Sequence, residues 1–333
     1  MVDIAQPLPR SPVAWRKVAL AGASLAAIAV FLRVFDPTGI PAAQNFFLVF
    51  GSLLIEAVPF VLLGAVVSAA IEVFVPSSVF ERLTALPRPL QLPGSALAGM
   101  AFPVCECGSV PVARRLATKG LAPSAAVTFM LAAPILNPIV LISTFIAYQG
   151  RDILWPMVLG RAGLGLVVAV AVGWVVANQS KDELITPRQS PDDHVHDEHG
   201  ARATAFFSHL SSDFTFMGKY LVMGAAVAAA MQTFVPQSII GGVAETPVVS
   251  LIAMMALAFL MSLCSESDAF VAASFVQFGI GAQLAFLVFG PMMDTKLTFL
   301  YRGTFSKRFF NAAIVTVTAV TLAGTLWIEV LLG

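Results

Sequence analysis

Long apolar runs, each closed by a short polar or basic cluster, set the pattern of this chain. They cover 18–35, 46–75, 93–117, 121–147, 154–177, 214–235, 248–278, 282–300 and 309–332. Most reach the roughly 20 residues that a helix needs to cross about 30 Å of hydrocarbon. Backbone N–H and C=O groups in lipid must bond within their own segment. Each run is therefore expected to be helical unless a break faces protein or an aqueous cavity. One polar stretch, 178–212, interrupts the series and contains "SPDDHVHDEHG". Its low hydrophobicity and high charge predict a flexible linker. The expected organisation is a tail with a first transmembrane helix (1–43), a transmembrane unit (44–177), the linker (178–212), a second unit (213–308) and a last helix (309–333).

The two units resemble each other. "VLLGAVVSAAIEVFVPSS" (61–78) aligns without gaps to "LVMGAAVAAAMQTFVPQS" (221–238), with about half the positions identical. Further on, "AFPVCECGSV" meets "FLMSLCSESDA", which sets Cys105 opposite Cys264. "APILNP" then meets "GPMMDT", which sets Asn137 opposite Asp294. Small-residue helices match by composition alone, but three matches in one order predict an internal repeat. Transporters are often built so, with the binding site at the repeat interface.

Positive charges favour the cytoplasm. Arg10, Arg16 and Lys17 therefore place the N-terminus inside, and the run at 18–35 exceeds a typical signal h-region. Arg114, Arg115 and Lys119 join the other basic clusters on that side only if 93–117 enters and leaves by one face. If 248–278 does the same from the opposite face, the repeats are inverted. The preferred fold is an all-α polytopic membrane protein with about seven full spans and two re-entrant or broken segments. Nine plain transmembrane helices are the alternative.

Composition agrees. Of 333 residues, 58% are hydrophobic and 11% charged, and the mean hydropathy is +0.87. A soluble domain carries about 25% charged residues. The formal net charge of zero gives no reason to expect nucleic-acid binding. The cysteines Cys105, Cys107 and Cys264 are too few for a disulfide scaffold.

Candidate chemistry lies where the runs are flawed. In "FPVCECGSVPVARR", Pro103 and Pro111 each remove a backbone donor, and Gly108 loosens the chain between them. Cys105 and Cys107 would diverge on an intact helix but can share a site on an unwound one. Glu106 is an ionisable group inside an apolar run, which by default marks function. "CSESD" supplies Cys264, Glu266 and Asp268, with Ser262, Ser265 and Ser267 around them. Neighbouring carboxylates in low dielectric resist joint ionisation, so Glu106, Glu266 and Asp268 are candidates for proton coupling. Asn137 and Asp294 are candidate substrate ligands beside the helix-breaking Pro134, Pro138 and Pro291, and Lys296 can partly neutralise Asp294. Taken singly, a membrane cysteine is more often a packing residue. Here all three fall in two repeat-related stretches that carry acids. Glu56 and Glu72 are weaker candidates, and Glu72 fits an interfacial place. Arg114 and Arg115 read as topology anchors. Thiolates select soft or borderline ions, whereas magnesium and calcium prefer oxygen cages. Three thiols suit trivalent arsenic or antimony, and two suffice for a species that already carries an organic group. His194, His196 and His199 form a loose metal-binding tract that reads better as solvated linker.

"FPVCECGSVPVARRLATKG", "LAAPILNPIVLIST", "SLCSESDAFVAASF" and "FGPMMDTKLTFLYRGTF" resemble the bacterial predicted-permease family that includes the organoarsenical efflux permease ArsP and the YraQ-like proteins. The resemblance covers about Phe46 to Phe310 and leaves out the first helix, the polar insert and the last helix. It implies a multi-pass inner-membrane permease and, in characterised relatives, efflux of trivalent, often methylated, arsenicals. It carries Cys105, Cys107 and Cys264 over as substrate ligands.

The expected function is secondary-active export of a soft solute, with no cofactor. The lipid bilayer and a small-molecule or metalloid substrate are its partners, and a homo-oligomer is allowed. No G-x-x-x-x-G-K-[ST] loop occurs. The alternatives are a transition-metal or sulfur-anion transporter and a membrane thiol oxidoreductase. The last is disfavoured because redox pairs are commonly C-x-x-C, while C-x-C closes a strained ring.

Overall fold

The computed structural model describes residues 41–76, 78–79, 84, 86–101, 104–178, 181–184, 202–234 and 247–332. The expected first helix at 18–35, Pro103, and His194, His196 and His199 lie outside the described residues. The chain divides into two compact units, Met1–Leu48 and Val49–Gly333. In the first, the described part is the opening of helix α1 (Pro41–Phe74). The second holds the remainder of α1 and every later helix.

These are α2 (Arg88–Ala98) with a 3₁₀ turn (Gly99–Ala101), α3 (Glu106–Thr118), α4 (Pro123–Leu136), α5 (Pro138–Ala147), α6 (Leu154–Val175), α7 (Lys181–Leu184), α8 (Arg202–Phe234), α9 (Pro247–Met261), α10 (Asp268–Ser274), α11 (Ile280–Phe289), α12 (Thr295–Thr304) and α13 (Lys307–Leu332). Among the described residues, 5 helical stretches are long and apolar enough to cross a membrane: Pro41–Phe74, Pro123–Ala147, Leu154–Val175, Ala203–Phe234 and Lys307–Leu331. The others are too short. At about 1.5 Å per residue α3 reaches roughly 20 Å, well under the hydrocarbon thickness.

The broken segments have local causes. The apolar run 121–147 parts at Asn137, because Pro138 has no N–H to continue the ladder. Asn137 Oδ1 accepts from the Ile139 N–H at 3.0 Å and caps α5. In the run 248–278, α9 stops at Met261 and Ser262 turns to φ 47°. A β-carbon makes that conformation uncommon, and side chains hold it in place. Ser262 Oγ donates to the Phe259 carbonyl at 3.1 Å and accepts from the Thr295 N–H at 3.1 Å. Thr295 Oγ1 donates to the same carbonyl at 2.8 Å, and Gln232 Nε2 donates to the Met261 carbonyl at 2.8 Å. The last carbonyls of α9, orphaned by the break, are thus satisfied from α8 and α12.

One element departs from expectation. Helix α8 starts at Arg202, inside the stretch read as linker. Ser208, Ser211, Ser212 and Asp213 lower the average hydrophobicity there without breaking the helix.

Helices α2, α4 and α6 pack in sequence, as do α9, α11 and α13, and α6 meets α13. The broken helices cross over, α3 against α12 and α10 against α5. Helix α8 lies along α12. Backbones approach closely where small residues meet. A Cβ on Gly64 would lie 2.5 Å from the Cα and carbonyl oxygen of Gly108, so α1 runs directly against α3. Outward-facing Ile55, Leu159, Phe234, Trp327 and Val330 are exposed, whereas Glu106, Arg161, Asp268, Asp294 and Lys296 are buried. Apolar residues outside and charges inside fit a bilayer as surroundings.

Candidate functional site

Four helices begin inside the protein, and a polar residue stands at each start. Cys105 is the N-cap of α3 and Glu106 its first residue. Asn137 caps α5. Asp268 opens α10. Asp294 caps α12, its Oδ1 accepting from the Leu297 N–H at 2.6 Å. Helix N-termini carry partial positive charge and unsatisfied N–H groups, which explains acids and an amide at these breaks. For Asn137 and Asp294, capping accounts for the side chain's principal bond.

The thiols meet at the α3 break. Cys105, Glu106 and Cys264 each direct one ligand atom to a common point, all within 4.8 Å of one another. Cys107 follows as the second residue of α3 and is buried. All three cysteines are free and buried. Cys264 Sγ donates to Glu266 Oε2 at 2.8 Å. Ser265 Oγ donates to Glu106 Oε2 at 3.0 Å. Pro111 sits inside α3 and cannot donate to the Cys107 carbonyl one turn back. Gly108 lies within α3, against α1, not in the unwound stretch. Pro134 lies inside α4, Pro138 opens α5, and Pro291 follows α11 in the turn before Asp294.

Lys296 stands beside this cluster. Its Nζ is 3.7 Å from Glu106 Oε1 and 3.8 Å from Asp294 Oδ2. Neither of those oxygens has a hydrogen-bond partner among the described residues. Glu56 approaches from α1, accepting from Ser267 Oγ at 3.2 Å.

Asp268 is placed differently. Its carboxylate is held by both arms of Arg161, Nη1 to Oδ1 and Nη2 to Oδ2, each at 2.8 Å. Arg161 is fully buried in α6 and also donates to Thr144 Oγ1 at 2.9 Å and to the Ser265 carbonyl at 3.1 Å. The fork thus fixes α10 and the loop that carries Cys264. Sequence reading passed over Arg161. The available signal was a lone ionisable residue in the apolar run 154–177.

A second ionic group closes the far end of α3. Arg115 bonds Glu72 Oε2 at 3.1 Å and Asp213 Oδ2 at 3.0 Å. Ser68 Oγ donates to the same Asp213 oxygen at 2.8 Å. Lys119 pairs with Glu72 at 3.8 Å. Glu72 therefore belongs to an anchor for α3, away from the thiols.

The structure thus gathers Cys105, Cys264, Glu106, Glu266, Asp294 and Lys296, places Cys107 next to Glu106 in the first turn of α3, and engages Asn137 and Asp268 in bonds elsewhere. The arrangement offers soft sulfur donors with an adjacent carboxylate, shielded from bulk water.

The model of a family described as "Predicted permease" matches residues 42–330. The chain is 42% identical over 295 residues to "UPF0718 protein YcgR" of Bacillus subtilis, covering 86% of this chain and 99% of that protein. It is 35% identical over 266 residues to the "Putative two-component membrane permease complex subunit" of Streptococcus mutans, covering 78% of this chain and 87% of that one. No solved structure matches.

Proposed function

From the premise that the chain belongs to this family of predicted permeases, we propose that the solute it moves is soft and thiol-seeking, held at Cys105, Cys107 and Cys264. That the protein is a membrane permease, a transporter and not an enzyme, follows from the family. The observation that carries the finer reading is the meeting of Cys105 and Cys264, 159 residues apart, with Glu106 at one buried point. Two or three convergent thiols form a good ligand set for trivalent arsenic or antimony, and two serve a methylated species. Efflux across a bacterial inner membrane, with the N-terminus inside, belongs to the same proposal. Coupling to protons runs through Glu106 or Glu266, whose carboxylates share the site with the thiols. Asp268 is the weaker candidate, because Arg161 occupies it.

The internal repeat is part of this reading. Its support is the parallel order of long and broken helices on either side of 178–212, with the crossed contacts α3–α12 and α5–α10. The thiol site then stands where the repeats meet.

A second reading, a transition-metal cation, is favoured by one feature. Glu106 contributes an oxygen to the same cluster, and zinc accepts mixed sulfur and carboxylate ligands.

The test is growth of a sensitive host on trivalent inorganic arsenic, methylated arsenic, antimony, zinc and copper, with and without this protein. Cys105→Ser, Cys107→Ser and Cys264→Ser are each expected to abolish the protection while expression persists. Full protection by the triple serine variant would remove the thiol mechanism. Because the Streptococcus relative is named as a complex subunit, binding to purified protein should be measured alongside. That separates a missing second subunit from a missing site.

A further inference from the structure

We infer that Lys296 is a tethered counter-ion of the solute site, a built-in cation with which a positively charged solute competes for Glu106. The inference rests on the thiol-site reading and concerns what charge the cargo brings. Helix requirements do not explain a lysine here. Lys296 is the second residue of α12, where the helix end is itself positive and a cation is disfavoured. Its backbone is fixed against α8, since a Cβ on Gly224 would come within 2.8 Å of the Lys296 Cα. The side chain is 3% exposed, too buried for water to explain its charge.

Its surroundings are acidic or sulfur-bearing. Glu106 Oε1 is at 3.7 Å and Asp294 Oδ2 at 3.8 Å. Cys264 Sγ lies 4.0 Å from the other oxygen of the same Glu106. The ammonium therefore sits between two carboxylates at ion-pair distance and outside hydrogen-bond distance of both. Both facing oxygens lack any hydrogen-bond partner among the described residues. A lysine committed to a structural ion pair would close on one of them, as Arg161 closes on Asp268 at 2.8 Å. Lys296 instead shares its charge and stays uncommitted.

The other oxygen of Glu106 belongs to the thiol cluster, where Ser265 reaches it at 3.0 Å. Glu106 is thus common to both, with Lys296 on one oxygen and the solute position on the other. Glu106, Glu266 and Asp294 outnumber Lys296 around this point, so an arriving cation meets an excess of acid. A dication that binds Cys105 and Cys264 as thiolates releases their two protons to solvent, takes Glu106 as a further ligand in place of Lys296, and leaves Lys296 to Asp294. When the solute departs, Lys296 resumes its share, and no bare carboxylate is left in the low-dielectric interior. A neutral solute gains nothing from this exchange.

The test uses the full chain, purified in detergent, with two probes. Cadmium(II) is a thiophilic dication, followed by its thiolate charge-transfer absorbance. Phenylarsine oxide is a neutral thiol-binding arsenical, followed by its competition with cadmium. Lys296→Met is expected to tighten cadmium binding about tenfold or more and to leave the arsenical within about twofold. Lys296→Arg, which keeps the charge, should behave as the parent. Should Lys296→Met fail to fold, Lys296→Met with Asp294→Asn removes a balanced pair of charges and carries the same expectation. Unchanged or weaker cadmium binding in these variants overturns the inference, as does equal tightening of both probes. Cys264→Ser separates the two claims. If it still binds both probes at parental affinity, the thiol site itself is wrong and the inference falls with it. If it loses both while the Lys296 variants bind cadmium as the parent does, the inference alone falls.

Discussion

Replacing Arg161 by methionine should destabilise this protein more than removing any surface ion pair. The guanidinium is fully buried in α6 and makes four bonds: two to Asp268 at 2.8 Å, one to Thr144 at 2.9 Å and one to the Ser265 carbonyl at 3.1 Å. Methionine fills much of the arginine stem and supplies no charge. Asp268, 3% exposed, then keeps a carboxylate with no cation beside it. Removing one member of a buried pair costs about 3–5 kcal/mol, chiefly because the other charge is stranded. The two bonds to Asp268 alone give a similar figure, with each charged hydrogen bond contributing about 1.5–3 kcal/mol. The stranding argument makes a sharper claim. Arg161→Met combined with Asp268→Asn removes both charges and should recover about 2 kcal/mol or more of the single-variant loss. Arg161→Lys should fall between, since an ammonium cannot make the two-armed contact. Thermal unfolding of the four proteins in one detergent, analysed as a double-mutant cycle, measures this. Strictly additive effects, or a loss under about 1 kcal/mol for Arg161→Met, would show that the fork is not what holds α10 and the Cys264 loop to α6.

Three further outcomes are expected. Gly64→Ala would drive a methyl into the backbone of Gly108 at 2.5 Å and should sharply lower the yield of folded protein on size-exclusion chromatography. Gly51→Ala on the same helix meets nothing within 4 Å and should raise the melting point, by up to about 1 kcal/mol of helix propensity. Asn137→Ala deletes the α5 cap and should cost about 1 kcal/mol in the same unfolding assay. Asn137→Ser, which retains a cap acceptor, should restore most of it, and a full loss in both variants would assign Asn137 another role.

What could be read from the sequence divides along physical lines. Prolines and misplaced polar residues pointed to the breaks just before Glu106, at Asn137–Pro138 and at Pro291–Asp294, because each violates a rule for backbone in lipid, whereas Gly108, Pro111 and Pro134 lie inside helices. The pairing of Cys105 with Cys264 was visible because the similar stretches around them align in sequence. Arg161 was hidden, since its reason for being there lies 107 residues away at Asp268, and no periodicity within α6 announces a partner on another helix. Where the apolar run at 121–147 would end its first helix was readable from Asn137 and Pro138. The start of α8 was not. A window average over 202–212 reports polarity, while a helix continuing into an apolar stretch needs only that its own backbone bonds close.

The buried acids can now be sorted by what occupies their oxygens. Asp268 is filled on both sides by Arg161. Asp294 spends one oxygen on the cap of α12 and, among the described residues, offers the other to Lys296. Asn137, its counterpart by alignment, is a cap without charge, so charge at that position is not demanded by capping. Glu106 remains, placed at a helix start with one oxygen toward Ser265 and the thiols and the other toward Lys296. Glu266 accompanies it through the Cys264 thiol. An acid that a fold requires is normally enclosed by its partners; Glu106 is enclosed by groups that can each let it go. For that reason the charge balance at Glu106, more than the number of thiols, should decide between a neutral arsenical and a metal cation as cargo. Measured side by side, the affinities of Glu106→Gln for phenylarsine oxide and cadmium make the distinction. Loss of cadmium with the arsenical retained identifies the carboxylate as a ligand for cationic cargo, and equal retention of both would refute its part in selecting the solute.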